Sequence, residues 1–296
     1  MVESDIRHQR LVTLVIALAL FVGALVVRAQ ALGSFSWPDE LTWLERSAAF
    51  VTALERGDLA GTHLSDHPGV VPMWGFGSAL YVRAKLTGDR TALDGLAAED
   101  YREDVPSQLA TAAWFTVICT SLATVSAFLL LIPLLGRAGA AVGGLLILLD
   151  PFYLVHSRIV HVDALLASFM LLSALALLAY LKRPNQRRYL LLSGIFGGLA
   201  LLTKAPALFL VPLTMLVLGM QWLLQRIGRY SWGRLGQVMG AFALWLVSLV
   251  GTFLLVWPAA WVQPLYLINR LFRASQWAGT VAHSSNFFLG RIVANP

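Results

Sequence analysis

No charged residue interrupts residues 109–135, LATAAWFTVICTSLATVSAFLLLIPLL. This apolar run is longer than the about 20 residues that a helix needs to cross the hydrocarbon core of a bilayer. The rest of the chain has the same character, since 58% of its residues are hydrophobic and 13% are charged, whereas about 25% of the residues of a soluble domain are charged. The sequence therefore predicts an integral membrane protein and excludes a disordered or an ordinary cytosolic one.

Six further apolar runs predict an all-α polytopic fold with about seven transmembrane helices. In chain order, the predicted spans are residues 11–32, 109–135, 138–155, 164–181, 189–203, 206–224 and 237–257. The first run is too long for the core of a signal peptide, so we interpret it as an anchor. The one cysteine, Cys119, lies within the second span and excludes an intrachain disulfide bond.

Basic residues cluster at every second connection and indicate how the chain crosses the membrane. The N terminus and three connections together carry ten Lys and Arg residues against two acids, Glu3 and Asp5. The positive-inside rule makes these segments cytoplasmic, so the loop of residues 34–106, the connection 157–163, Lys204 and the C-terminal tail face outward. We therefore expect a multi-pass protein of the cell membrane with a cytoplasmic N terminus, and the Ala-, Leu-, Gly- and Arg-rich composition fits a bacterial source. The net charge of +6 reflects this topology, and no nucleic-acid partner is expected.

The chain divides into a transmembrane region, residues 1–258, and the start of a later extracytoplasmic loop, residues 259–296. Within the first region, the outer loop carries apolar residues at helical spacing. This spacing predicts interfacial helices near residues 41–54 and 71–86. Because the tail does not return to the membrane, we expect the chain to be the N-terminal fragment of a longer polytopic protein.

Two adjacent carboxylates follow the first span on its outer side, in the sequence Trp37-Pro38-Asp39-Glu40. Acids at a membrane surface can supply a general base and a partner for a metal ion or a hydrogen bond. The same residues also suit the first turn of a helix, since Pro38 fits that position and acids complement the helix dipole. This pattern alone leaves both interpretations open.

Further ionisable residues lie in the other outer connections. Arg158, His161 and Asp163 lead into the fourth span, where a cation, an imidazole and a carboxylate would suit an anionic phosphate. Lys204 lies between two apolar runs, where a lysine is costly unless it reaches the interface or a phosphate. The structural alternatives are an interfacial salt bridge for the first group and a snorkelling lysine for the second.

Two histidines of the outer loops are further candidates. His67, in the sequence Asp66-His67-Pro68-Gly69, could bind a metal ion or carry a proton, although Asp, Pro and Gly also favour a plain turn. His283 is a weaker candidate, because an exposed loop histidine explains it equally well. The sequence contains no P-loop, HExxH or GxSxG motif, so ATP-driven transport within this chain is not predicted.

In combination, these features resemble the lipid-dependent membrane glycosyltransferases of the C-type fold, whose branches include the protein O-mannosyltransferases and the bacterial aminoarabinose transferases. The resemblance covers nearly the whole chain and rests on the order of five motifs on the predicted outer side. These motifs are Asp39-Glu40, His67-Pro68, Arg158-x4-Asp163, Thr203-Lys204-x-Pro206 and His283-x3-Phe287-Phe288-x-Gly290.

The resemblance implies that a sugar is transferred, with inversion, from a polyprenyl-phosphate donor to an acceptor hydroxyl at the extracytoplasmic face. In that reaction Asp39 would be the general base that activates the hydroxyl, and Glu40 would orient it or help to hold a metal ion. Asp163 would be the second catalytic acid. His67 falls where relatives place residues near the donor phosphate or a metal, so the cofactor that the resemblance allows is a divalent cation at Glu40 and His67.

The resemblance also assigns the residues that would contact the donor. Arg158 and Lys204, together with His67, would neutralise the leaving lipid phosphate. His161 lies within the same motif, and His283 comes from a later outer loop that closes over the cavity in relatives. The acceptor would be a protein, a glycolipid or a glycan, and the reaction would take place in contact with the lipid bilayer.

Two other functions are compatible with a polytopic chain of this composition. A transporter, or a flippase or polymerase of lipid-linked saccharides, would carry its ionisable residues deep within the spans, beside broken helices. A non-catalytic membrane scaffold would tolerate the substitution of its outer carboxylates. The concentration of ionisable residues in the outer connections favours chemistry at the membrane surface.

Overall fold

The computed structural model describes residues 2–34, 39–66, 68–94, 101–227, 235–278, 286–288 and 291–293. The helices are α1 (Val2–Arg28), α2 (Glu40–Glu55), α3 (Val70–Thr87), α4 (Thr91–Asp94), α5 (Tyr101–Leu149), α6 (Pro151–His156), α7 (Asp163–Lys182), α8 (Arg187–Thr203), α9 (Leu210–Ile227), α10 (Leu235–Val256), α11 (Pro258–Val262) and α12 (Pro264–Ala278). Two 3₁₀ turns, Ala60–Thr62 and Ala205–Phe209, and a short antiparallel hairpin of β1 (Asn286–Phe288) and β2 (Arg291–Val293) complete the structure.

The long element α5 is a helical hairpin. Gly136 interrupts it with φ 72° and ψ 174°, a backbone conformation that glycine adopts far more readily than other residues. The two halves fold back on each other. Their close approach is seen at Gly144 in the second half, where an added Cβ would lie only 3.6 Å from the Cβ of Phe128 in the first half. The element α5 therefore contains the second predicted span and residues 138–149 of the third, whose remainder belongs to α6.

The described part of the chain contains five helical stretches that are long and apolar enough to cross a membrane. They are Asp5–Arg28, Asp104–Leu149, Asp163–Lys182, Ala205–Leu224 and Leu235–Val256. Because the second of them is the hairpin, these stretches contain all or most of the residues of six of the seven predicted spans. The predicted all-α polytopic membrane fold is confirmed.

The remaining predicted span forms α8, which at 17 residues is shorter than the about 20 residues of a full span. Hydrogen bonds hold it between its neighbours. The hydroxyls of Ser193 on α8 and Ser173 on α7 each donate to the other residue's carbonyl at 2.8 Å, and the indole N–H of Trp245 on α10 donates to the Ser193 hydroxyl at 3.0 Å. Such polar contacts associate helices where the apolar lipid provides no hydrophobic driving force.

Close packing of α8 on α10 depends on the absence of a side chain at Gly194, and this gives a first testable prediction. A Cβ there would lie 2.5 Å from both the Cβ of Ser248 and the carbonyl oxygen of Trp245. We expect Gly194→Ala to destabilise the protein by about 1–3 kcal/mol, because the backbone of α10 would have to move. The measurement is the thermal unfolding midpoint of the purified protein in detergent.

Gly240→Ala is the matched control for this prediction. Gly240 lies on α10 and a Cβ there would meet no atom within 4 Å. Alanine favours a helix interior by about 1 kcal/mol over glycine, so this substitution leaves the midpoint unchanged or raises it. Equal midpoints for the two variants would contradict the packing argument.

The outer loop contains the two predicted helices, α2 and α3, and also the short helix α4. Trp43 of α2, Phe76 of α3 and Leu109 of α5 belong to one buried core cluster, so protein covers the apolar face of α2. Val160 and Val162, from the connection before α7, belong to the same cluster. This packing holds the start of α2, with its acidic pair, against that connection.

Candidate active site

Three segments that are distant in sequence meet at the end of the helices that is predicted to face outward. They are the start of α2, the connection from α6 to α7, and the junction between α8 and the turn Ala205–Phe209. Their meeting brings together five of the predicted site residues. These are Asp39, Glu40, His161, Asp163 and Lys204, and we refer to them as the acid–lysine cluster.

Asp39 is the acid of the cluster that a substrate can reach most easily. It immediately precedes α2 at the N-cap position, and 65% of its side chain is exposed. Its carboxylate makes no capping hydrogen bond to α2, and its Oδ2 atom lies 3.5 Å from Nε2 of His161. An exposed carboxylate that its own helix does not use can accept a proton from a bound hydroxyl.

Glu40 is oriented differently and is buried, with 2% of its surface exposed. Its Oε1 atom accepts the backbone N–H of Val160 at 2.7 Å. A carboxylate that accepts a backbone N–H in a buried position forms a strong, charge-assisted hydrogen bond. This bond fastens the connection before α7 to the start of α2, so Glu40 fixes the backbone that carries His161 and Asp163.

Asp163 links the other two members of the cluster. It is the first residue of α7, with its Oδ2 atom 3.4 Å from Nδ1 of His161, and its Oδ1 atom accepts a hydrogen bond from the Lys204 ammonium at 2.8 Å. Lys204 lies at the break after α8 and remains partly exposed. Because an ammonium has three N–H donors, Lys204 retains donors for an anion while it pairs with Asp163.

Another predicted residue, Arg158, contacts a different part of the chain. Arg158 donates through Nη2 to the backbone carbonyl of Gln30, so it fastens the connection before α7 to the end of α1. Its predicted contact with the donor phosphate therefore stays a prediction. His283 lies outside the described residues.

His67 also lies outside the described residues, but the turn that follows it is described. Gly69 has a φ of 59°, and its N–H donates to the carbonyl of Thr203 at 3.2 Å. A Cβ at this glycine would lie 2.2 Å from the ring of Trp43. The turn therefore lies next to Lys204, and it requires glycine both for its backbone conformation and for its close approach to α2.

The sequence analysis missed a cluster that joins the outer loop to α12. Arg270 of α12 forms an ion pair with Asp66 at 2.9 Å, and His63 packs against the rings of Trp257 and Tyr266. Burial lowers the pKa of His63 below its usual value, with Arg270 adding to this effect and Asp66 opposing it. The sequence analysis quoted Asp66 only as part of a turn beside His67, and no pattern pointed to its pairing with Arg270.

A divalent cation does not fit the described residues on their own. Among them, no three Asp, Glu, His or Cys side chains are arranged to hold a metal ion. Of the two predicted ligands, Glu40 is buried with Oε1 occupied by the N–H of Val160, and His67 is not described. The predicted cation at Glu40 and His67 therefore stays a prediction.

An apolar groove of about 390 Å³ lies beside the cluster. Pro68 and Ala205, which directly follow His67 and Lys204 in the sequence, belong to its wall. The rest of the wall comes from α8, the turn Ala205–Phe209, α10, α11 and α12, including Leu201, Phe253, Leu254, Leu267 and Ile268. A groove with this lining suits a hydrocarbon chain, and its position puts one end of such a chain near the lysine.

Comparisons with known proteins agree with this architecture. Residues 107–257, just over half of the chain, match the sequence family described as dolichyl-phosphate-mannose-protein mannosyltransferase. Among solved structures, the protein O-mannosyltransferase Pmt1–Pmt2 complex of S. cerevisiae, bound to the sugar donor, has a TM-score of 0.62 and 18% sequence identity. That match covers 88% of this chain and 34% of the yeast chain, so the chain spans about a third of the length of its relative. No curated protein sequence matches.

Proposed function

The chain belongs to the dolichyl-phosphate-mannose-protein mannosyltransferase family, and on that premise we propose that it transfers a sugar from a polyprenyl-phosphate donor to an acceptor hydroxyl. The reaction takes place at the extracytoplasmic face of the cell membrane and inverts the anomeric centre. The acceptor is a protein, a glycolipid or a glycan. The acid–lysine cluster is the site of this reaction.

One observation carries the proposal: an exposed carboxylate and a partly exposed ammonium belong to one hydrogen-bonded and ion-paired cluster beside an apolar groove. Asp39 supplies the carboxylate and Lys204 the ammonium. A lipid-linked phosphate sugar needs these three features, namely a base for the acceptor, a cation for the phosphate and a surface for the prenyl chain. None of them needs a nucleotide-binding domain.

The proposed step is a single displacement. Asp39 accepts the proton of the acceptor hydroxyl while the hydroxyl oxygen forms a bond to the anomeric carbon. The bond between that carbon and the phosphate oxygen breaks, and the electron pair leaves with the polyprenyl phosphate. Lys204 stabilises the negative charge that develops on the phosphate. Direct attack from the side opposite the leaving group inverts the anomeric centre.

The position of Glu40 supports a single displacement rather than a covalent intermediate. A double displacement would need a second, exposed carboxylate to act as the nucleophile. Glu40 is buried and already accepts the N–H of Val160, and the remaining acid of the cluster, Asp163, is paired with Lys204. Asp39 is therefore the exposed acid without a lysine partner, and its use as a base supports inversion.

The test is sugar release by the purified chain in proteoliposomes supplied with radiolabelled mannosyl, glucosyl or aminoarabinosyl polyprenyl phosphate. Serine- and threonine-containing peptides, a glycolipid extract and a soluble glycan are offered as acceptors in parallel. We expect transfer from at least one donor, with the opposite anomeric configuration in the product. Absence of transfer from every donor, together with movement of a lipid-linked saccharide across the bilayer, would favour the transporter alternative.

A further inference from the structure

His161 lies between Asp39 and Asp163, two of the three acids of the cluster. Its side chain is nearly buried, with 8% of the residue exposed. Nε2 lies 3.5 Å from Oδ2 of Asp39, and Nδ1 lies 3.4 Å from Oδ2 of Asp163. The backbone N–H of His161 donates to the carbonyl of Ile159 at 3.0 Å, so a tight turn holds the residue in place.

The hydrogen-bond partners of the ring decide where its proton lies. The backbone N–H of Asp163 is directed at Nδ1, at 3.3 Å, and favours Nδ1 as the acceptor in the neutral imidazole, whereas Oδ2 of the same residue, at 3.4 Å, is an alternative acceptor for a proton on Nδ1. A neutral imidazole carries one proton, and when Nδ1 is the acceptor that proton lies on Nε2, the nitrogen that faces Asp39. A doubly protonated ring also carries a proton on Nε2. An N–H therefore points at the Asp39 carboxylate in either of these two states.

Asp39 needs a hydrogen-bond donor from outside α2 to fix the orientation of its side chain. Its carboxylate makes no capping hydrogen bond to α2, and it is mostly exposed, so its own helix does not fix its rotamer. A freely rotating base spends little time in the geometry that proton transfer requires. The Nε2–Oδ2 distance of 3.5 Å is longer than an ordinary hydrogen bond, as catalytic contacts often are without a bound substrate.

We propose that His161 is a positioning residue that donates from Nε2 to Asp39 and so holds the proposed base toward the acceptor. The effect of His161 on catalysis rests on the proposed function, whereas the direction of its hydrogen bond to Asp39 does not. His161 itself takes no proton from the substrate. Its position depends on two fixed points, the N–H of Asp163 at the start of α7 and the bond from Val160 to Glu40.

The direction of the hydrogen bond can be measured without any activity. The chain is labelled with ¹⁵N-histidine, and the spectrum of His161 is assigned by its disappearance in His161→Gln. We expect Nε2 of His161 to be protonated and its resonance to shift in Asp39→Asn. An unprotonated Nε2, or a resonance that does not respond to Asp39→Asn, would overturn the inference even if the protein is an active transferase.

The catalytic consequence is tested by comparing His161→Leu with His161→Gln. Leucine removes the donor, whereas the glutamine amide keeps an N–H donor near the position of Nε2. We expect His161→Leu to lower kcat for mannosyl polyprenyl phosphate at least about tenfold, because the base is misplaced, with KM for the donor within about twofold. His161→Gln recovers part of the lost kcat.

His156→Gln is the matched control, because that histidine ends α6 in the same connection and its ring contacts Phe152 rather than the cluster. We expect wild-type kinetics from it. Equal kcat values for His161→Leu and His161→Gln, or a loss confined to KM, would assign His161 a purely structural role. If the unaltered chain transfers no sugar, the proposed function fails, and the NMR measurement still decides the orientation of His161.

Discussion

Asp39→Asn is expected to reduce sugar transfer by about 10²–10⁴-fold, the range over which general bases contribute to catalysis. The amide has the same shape as the carboxylate but cannot accept the hydroxyl proton. Because Asp39 is mostly exposed and makes no capping hydrogen bond, the substitution leaves the fold intact. The measurement is the initial rate of transfer in proteoliposomes at saturating donor, with the thermal unfolding midpoint recorded for each preparation.

Glu45→Gln is the control for this experiment. Glu45 is an exposed acid on the outer surface of the same helix, so its substitution removes one negative charge near the site without touching the cluster. We expect a rate within twofold of the unaltered protein. An Asp39→Asn variant that transfers sugar as fast as Glu45→Gln would remove Asp39 from the mechanism and leave the base unassigned.

Lys204→Gln is the second substitution with a large expected effect. Removing one group that stabilises developing charge in a dry site typically costs about 10²–10³-fold in kcat. Lys204 pairs with Asp163 at 2.8 Å, so its removal also strands a carboxylate beside the departing phosphate. We therefore expect kcat to fall by at least this factor and the donor KM to rise, measured with mannosyl polyprenyl phosphate over a range of concentrations.

Two further variants separate these causes. In the double variant Asp163→Asn with Lys204→Gln, a neutral amide replaces the carboxylate that Lys204→Gln leaves unpaired. We therefore expect the double variant to bind the anionic donor more tightly than Lys204→Gln alone, while kcat stays low. Lys182→Gln, at the opposite end of α7 and exposed, controls for the loss of one positive charge. A Lys204→Gln variant as active as Lys182→Gln would show that another cation stabilises the phosphate.

Much of the fold was predictable from local sequence properties. Each predicted span is largely helical, and the helices of the outer loop, α2 and α3, begin and end close to the predicted residues. The structure differs in the third predicted span, which Asp150 divides between α5 and α6. The short helix α8 lies where it was predicted, but its serine and glycine contacts with α7 and α10 were not. Hydropathy measures how well a segment partitions into lipid, and it contains no information about which neighbour covers that segment.

The candidate site was predictable in its members and not in their arrangement. The sequence identified Asp39, Asp163 and Lys204 because ionisable groups next to apolar spans are costly unless they have a function. It gave Glu40 a role in orienting the hydroxyl or holding a metal ion, whereas the structure buries Glu40 against Val160 and leaves Asp39 exposed. Adjacent residues at a helix start point in different directions, and only the packing of the connection before α7 decides which of the two is covered.

The sequence by itself determined that this chain is a polytopic helical membrane protein with its ionisable residues in a few connections, because hydrophobic transfer and helical periodicity are properties of short segments. Only the tertiary structure decided that His161 lies between Asp39 and Asp163, that Arg158 contacts the end of α1, and that Asp66 pairs with Arg270. These contacts join residues on different helices. Their distances depend on how the helices pack, which no local pattern encodes.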